Sequence, residues 1–145
     1  MKLFVAVLLV NVSTPAFAQT WSENTCRASL EGAYRFFVSR SGATTQGDFN
    51  SDGTPDFALL LDAKAPPDRA AVGVCLSNEP RPLLITSPYQ SAKIFTKPKG
   101  TEYMNFGTET SGVYERDAIS VSDGGSIGAS YILRGGVFVQ VVDSD

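Results

Sequence analysis

The stretch Gly47-Asp48-Phe49-Asn50-Ser51-Asp52-Gly53-Thr54-Pro55-Asp56 runs straight into Phe57-Ala58-Leu59-Leu60-Leu61, and it constrains the fold more than any other part of the chain. Side-chain oxygens fall at alternate positions, Asp48, Asn50 and Asp52, ahead of a glycine and a further carboxylate at Asp56. That spacing suits a hard cation such as calcium, which takes about six to eight oxygen ligands in a flexible shell. Gly53 supplies the positive φ that a loop folding back on an ion requires. Thr54 is expected to offer its backbone carbonyl, and Pro55 limits the chain there to few conformations. The expected ligand set is therefore Asp48, Asn50, Asp52, Thr54 and Asp56 around one structural calcium ion. An acidic hairpin turn without metal draws on the same residue types.

An EF-hand does not fit. Counted from Asp48, its twelfth position is Leu59, where a bidentate Glu is needed, and the loop leads into a β-like run rather than a helix. The form Asp-x-Asn-x-Asp-Gly-x-x-Asp followed by a strand resembles the calcium loop of FG-GAP and VCBS-type β-propeller repeats. No internal repeat accompanies it, and a propeller needs several blades, so one compact domain is expected.

The 145-residue chain opens with Lys2, an apolar run from Leu3 to Val10, and Ala16-Phe17-Ala18. This reads as a secretory signal peptide over residues 1–18, leaving a single β-rich domain over residues 19–145. The apolar run is too short to span a bilayer. Loss of Lys2 takes the net charge from −3 to −4. A mildly acidic chain without a basic run is a poor ligand for nucleic acid, and after cleavage no membrane association is expected. A periplasmic or secreted location follows. In such a compartment the even pair Cys26 and Cys75 is expected to form a disulfide, worth on the order of 4 kcal/mol in the chain-entropy model.

From Ser22 to about Val38 the pattern is helical. Ser22 is a candidate cap, and Cys26, Leu30, Ala33, Tyr34 and Phe37 form one apolar stripe. Tyr34 to Val38 is rich in β-formers, so the helix can give way to strand there. Phe57 to Asp62 reads as a strand apolar on both faces. Ala70 to Ser77 is its returning partner, with Val72, Val74 and Leu76 on one face and Cys75 on the other. Pro82 to Thr86 is a third strand. The segment from Pro88 to Gly112 reads as mostly loop with one edge strand near Ile94-Phe95. Ala118 to Val121, Ser130 to Leu133 and Val137 to Val142 are strands, the last two joined by a tight turn at Arg134-Gly135-Gly136. The fold class is α+β, mainly β, with an N-terminal helix packed on a small antiparallel sheet.

The chain also resembles a recurring type of small exported bacterial protein with one Gly-Asp-Phe-Asn-x-Asp-Gly-x-Pro-Asp loop. The matching residues are Gly47 to Asp56, Asp117-Ala118-Ile119, Ala129-Ser130-Tyr131, and Arg134 to Asp145. That resemblance implies a fold and an exported location. It implies no activity, since the family is mostly without one assigned.

No histidine is present, which removes the commonest general base. Ser120, Ser122, Ser126 and Ser130 read as polar strand faces and turns. Glu102, Glu109, Glu115 and Asp117 read as solvated charges, although a glycosidase works with two carboxylates. No enzyme is expected. Tyr89, Phe95, Tyr103, Met104 and Phe106 are either interface anchors or core over the sheet's second face. The expected function is a non-enzymatic exported module that binds a protein, such as an inhibitor or immunity protein. The alternative is a module for carbohydrate or peptidoglycan of the cell envelope, for which flat exposed rings, rather than a mixed apolar patch, would speak. A metal-dependent hydrolase comes last.

Overall fold

A computed structural model of the chain describes residues 20–65, 70–86, 93–124 and 127–144. The signal peptide, Pro66 to Asp68, Tyr89, Gly125 and Ser126 lie outside the described residues.

Helix α1 (Glu23–Ala33) starts where its capping chemistry places it. The Ser22 hydroxyl accepts the Thr25 N–H, and the Thr25 hydroxyl accepts the Ser22 N–H, a reciprocal box that satisfies two end donors. The helix is shorter than the apolar stripe suggested: Tyr34 forms its C-cap and strand begins at Phe37. The β-forming run Tyr34 to Val38 prevails over the helical spacing.

Strands β1 (Phe37–Gly47), β2 (Asp56–Ala63), β3 (Ala71–Cys75) and β4 (Leu83–Thr86) form one antiparallel sheet in that order. The second sheet has the order β10 (Val137–Ser144), β9 (Ile127–Arg134), β8 (Ala118–Ser122) and β5 (Lys93–Lys97). A hairpin of β6 (Glu102–Asn105) and β7 (Thr110–Val113) is separate. The antiparallel, mainly β class with an N-terminal helix holds, in one compact domain. Among the described residues the strands divide into two four-stranded sheets and a hairpin.

Between the sheets lies one core. Ala58, Leu60, Val72, Val74 and Leu76 from the first sheet meet Ile119, Val121, Ala129, Tyr131 and Leu133 from the second. Phe49, from the acidic loop, is buried among them. The outer face of the first sheet carries α1, with Cys26 and Leu30 packed on Leu59, Leu61, Ala71 and Cys75. Strand β2 is therefore apolar on both faces because each face has its own cover. A Cβ on Gly73 would lie 2.5 Å from a Leu30 methyl, so only glycine lets the helix sit this close. Cys26 and Cys75 are disulfide-bonded, joining helix to sheet. Trp21 adds a bond from its indole N–H to the Leu76 carbonyl at 2.9 Å.

Two elements depart from the sequence reading. Strand β1 extends over Ser39 to Gln46, whose polar side chains give no strand signal. It closes one side of the sandwich against β5, where the Thr96 hydroxyl donates to the Gln46 carbonyl at 2.9 Å. The segment from Pro88 to Gly112 was expected to be mostly loop, but it holds β5, β6 and most of β7. These strands are four or five residues long, and Pro98 and Gly100 interrupt any longer alternation. The turn at Arg134-Gly135-Gly136 is as expected: both glycines have positive φ, 57° and 80°, as a type I′ hairpin needs.

Candidate functional site

The acidic loop bends at Ser51 (φ 61°) and Gly53 (φ 81°), the latter as the sequence required. The Asp48 carboxylate accepts the N–H groups of Asp52 and Gly53, each at 3.0 Å. The Asn50 side-chain oxygen accepts the same Asp52 N–H at 3.0 Å, so these two side chains converge. Asp52 turns elsewhere. One of its oxygens accepts the Thr54 N–H at 2.8 Å; the other accepts from the Ser77 hydroxyl at 2.6 Å and the Asn50 amide at 3.0 Å. The Ser77 hydroxyl holds this carboxyl below the usual range.

Asp56 is fully buried and faces inward. It accepts the backbone N–H groups of Phe49 at 2.8 Å, Asn50 at 3.2 Å and Ser77 at 2.7 Å. Burial pushes its carboxyl up, while the hydrogen bond from Ser77 leads those that pull it back. A second carboxylate, Asp117, accepts the Asp48 N–H at 3.0 Å and the Lys99 N–H at 2.9 Å. The loop thus ties together the β1–β2 connection, the end of β3 and the start of β8.

Asp48 and Asn50 likewise accept the backbone N–H groups of Asp52 and Gly53. Asp52 and Asp56 spend their oxygens on Ser77 and on backbone N–H groups. Among the described residues no group of three or more His, Cys, Asp or Glu side chains is gathered to hold a metal. The hollow of about 350 Å³ beside the loop is lined by Gln46, Asp48, Gly53, Thr54 and Pro55, not by Asn50, Asp52 or Asp56. Calcium would need Asp52 to exchange Ser77 and the Asn50 amide for the ion.

The aromatic segment divides. The Tyr103 ring packs against Tyr114, centroids 4.8 Å apart, and belongs to a third cluster with Ala118, Ile132 and Val141 on the outer face of the second sheet. Phe95 is half-buried in β5, with the Lys97 ammonium 6.0 Å from its ring centre. Met104 and Phe106 are exposed, 54% and 51%, and so is Val113 at 52%. The Phe106 N–H bonds to the Val142 carbonyl at 2.8 Å, fixing the hairpin to β10.

Ser120, Ser122 and Ser130 lie on a strand face, and that face is covered. Ser120 and Ser130 are fully buried and Ser122 nearly so. They share the outer face of the second sheet with Ala118 and Gly128, a strip of small residues across which longer side chains lie. Lys97 reaches over this strip to Asp143 at 2.8 Å. The Tyr114 hydroxyl donates to the same carboxylate at 2.6 Å, and the Ser130 hydroxyl at 3.2 Å. Burial, and then the bond to Asp143, raises the Tyr114 phenol above its ordinary range. Sequence reasoning missed Lys97, Tyr114 and Asp143. Their only signal is the alternation of small residues in β8 and β9, which leaves room above the sheet.

Of the acidic residues, Glu102 and Glu109 are exposed as expected, and Glu115 pairs with Arg134 at 2.7 Å. Asp117 is the exception, through its two backbone bonds. No helix among the described residues is long and apolar enough to cross a membrane. No protein-family model, curated protein or solved structure matches the chain.

Proposed function

We propose that the chain is an exported, non-enzymatic module that binds another protein through the face of the β6–β7 hairpin. One observation carries this reading: the exposed apolar residues there are mixed in kind. Met104, Phe106 and Val113 of the hairpin and its turn are large apolar side chains left in solvent. A sugar-binding platform calls for flat exposed rings; among the described residues of the hairpin and its turn Phe106 is the one exposed ring, and Tyr103 is packed on Tyr114. Methionine and valine give an adaptable apolar surface of the kind protein partners cover. Carbohydrate of the cell envelope is the weaker reading for that reason.

A secretory leader, the Cys26–Cys75 bridge and the small size suit a rigid module working outside the cytoplasm. A calcium ion held by Asp48, Asn50 and Asp52, with Asp56 behind them, would pin the loop; it is a structural role in this reading. The test is photo-crosslinking in the exporting cell, with a photoreactive amino acid at position 104 or at position 36. Position 36 is also exposed but lies just before β1, beside Ala33 and Leu84. A discrete protein adduct is expected from position 104 alone. Adducts from both positions, or from position 36 only, reject the hairpin face.

A further inference from the structure

A cleft of about 510 Å³ runs along the β6–β7 hairpin, with Lys97 and Asp143 at its deep end. The register pairs Glu102 with Val113 and Met104 with Ser111, so Glu102, Met104 and Val113 share one face of the hairpin. All three are exposed, and all three line the cleft together with the half-buried Tyr103. The charges in it are unequal. Lys97 is turned to Asp143, so these two compensate each other. None of the ion pairs among the described residues uses Glu102. The uncompensated charge at the mouth of the cleft is therefore one carboxylate, beside a thioether and an isopropyl group.

We propose that this cleft receives an arginine or lysine side chain of the partner protein, with Glu102 taking its cationic head and Met104 and Val113 its aliphatic stem. The inference rests on the protein-binding reading and names the anchor that reading lacks. Long basic side chains bury their stems along apolar surface while the head seeks charge. A carboxylate with a guanidinium forms a paired, charge-assisted contact, and arginine recurs among dominant interface residues. An anionic anchor would meet Glu102 unpaired. The overall acidity of the chain, net −3, acts in the same direction at longer range.

The test uses the full chain and short blocked peptides, Ala-Ala-X-Ala-Ala, with X as Arg, Lys, Gln or Glu. Met104 is the one methionine besides Met1, so its labelled methyl resonance reports on the cleft. The Arg and Lys peptides are expected to shift it saturably in the low millimolar range. The Gln and Glu peptides should bind at least about tenfold more weakly. Glu102→Gln should weaken the Arg peptide by about tenfold or more. Glu109→Gln, which removes the same charge from an exposed turn, should leave it unchanged. Equal shifts from the Gln peptide, an unaltered Kd in Glu102→Gln, or no shift from any peptide overturns the proposal. A partner crosslinked through position 104 that binds Glu102→Gln as tightly as the native chain sinks the basic anchor alone. Peptide binding without any adduct from position 104 sinks the protein-binding reading instead.

Discussion

The buried Asp56 carboxylate accepts the backbone N–H of Ser77 at 2.7 Å, fastening the first residue of β2 to the end of β3. Its other oxygen takes the N–H groups of Phe49 and Asn50, so one side chain satisfies three main-chain donors around a bend. Asp56→Ala should leave those donors without their acceptor. At about 1–3 kcal/mol for each unsatisfied buried group, a loss of about 3 kcal/mol or more is expected in urea unfolding. Asp52→Ala, whose carboxylate is exposed, should cost distinctly less. Equal losses would mean that the inward bonds of Asp56 carry no special weight.

The disulfide between Cys26 and Cys75 spans 49 residues. Replacing both cysteines with serine should lower stability by about 2–5 kcal/mol. Mass spectrometry of the native protein should show two hydrogens fewer than the reduced chain and one linked peptide pair. Free thiols in the protein isolated from its native cell would contradict the bridge.

Lys97, Asp143, Tyr114 and Ser130 act as one buried unit. Lys97→Met leaves the Asp143 charge without its counter-ion and should cost about 3–5 kcal/mol. The double change Lys97→Met with Asp143→Leu should cost less than that single change, because no buried charge is left. A double variant weaker than Lys97→Met would show that the ion pair is itself strongly stabilising.

Tyr114 gives the cluster a signature at alkaline pH. Its phenol is raised in the folded state, so the stability it contributes is full below the ordinary tyrosine pKa of about 10. Above that pH the unfolded chain releases this proton and the folded chain keeps it, so stability falls as pH rises. Tyr114→Phe should flatten that alkaline fall while weakening the protein at neutral pH by about 1–3 kcal/mol. The same alkaline slope in both proteins would place the titration elsewhere.

Calcium makes a separate demand. Binding to the folded state alone stabilises by about 2.7 kcal/mol at a hundredfold excess over Kd. Extracellular modules bind at about 10⁻⁴ to 10⁻³ M, so the melting temperature should rise in millimolar calcium. Magnesium should substitute poorly, and Asp48→Ala should abolish the rise. An unchanged melt with calcium or chelator would leave the loop as a turn held by its own hydrogen bonds.

Much of the sandwich was legible where burial writes a period into the sequence. Val72, Val74 and Leu76 alternate with Cys75, and those faces meet different layers. Ser22 and Gly53 were legible because capping and positive φ select few residue types. Strand β1 was not, because Ser39 to Gln46 lacks an apolar alternation and is held by pairing with β2 and by polar side-chain bonds such as Arg40 to Asp62 and Thr45 to Thr96. The cluster at Asp143 was hidden for a related reason. Its members come from β5, β8, β9, β10 and the residue after β7, and only register brings them to one face. The acidic loop was recognised by spacing, yet the inward turn of Asp56 toward Ser77 depends on β3, which spacing cannot show.

The hairpin face is tested most directly by the affinity of the partner captured through position 104. Isothermal titration of that purified protein should be run against the native chain, Met104→Asp, Phe106→Ser and Phe36→Ser. The first two substitutions should weaken binding by at least about tenfold, as dominant interface residues do, and Phe36→Ser should leave it unchanged. Equal affinity for all four chains, or a loss confined to Phe36→Ser, would contradict the account.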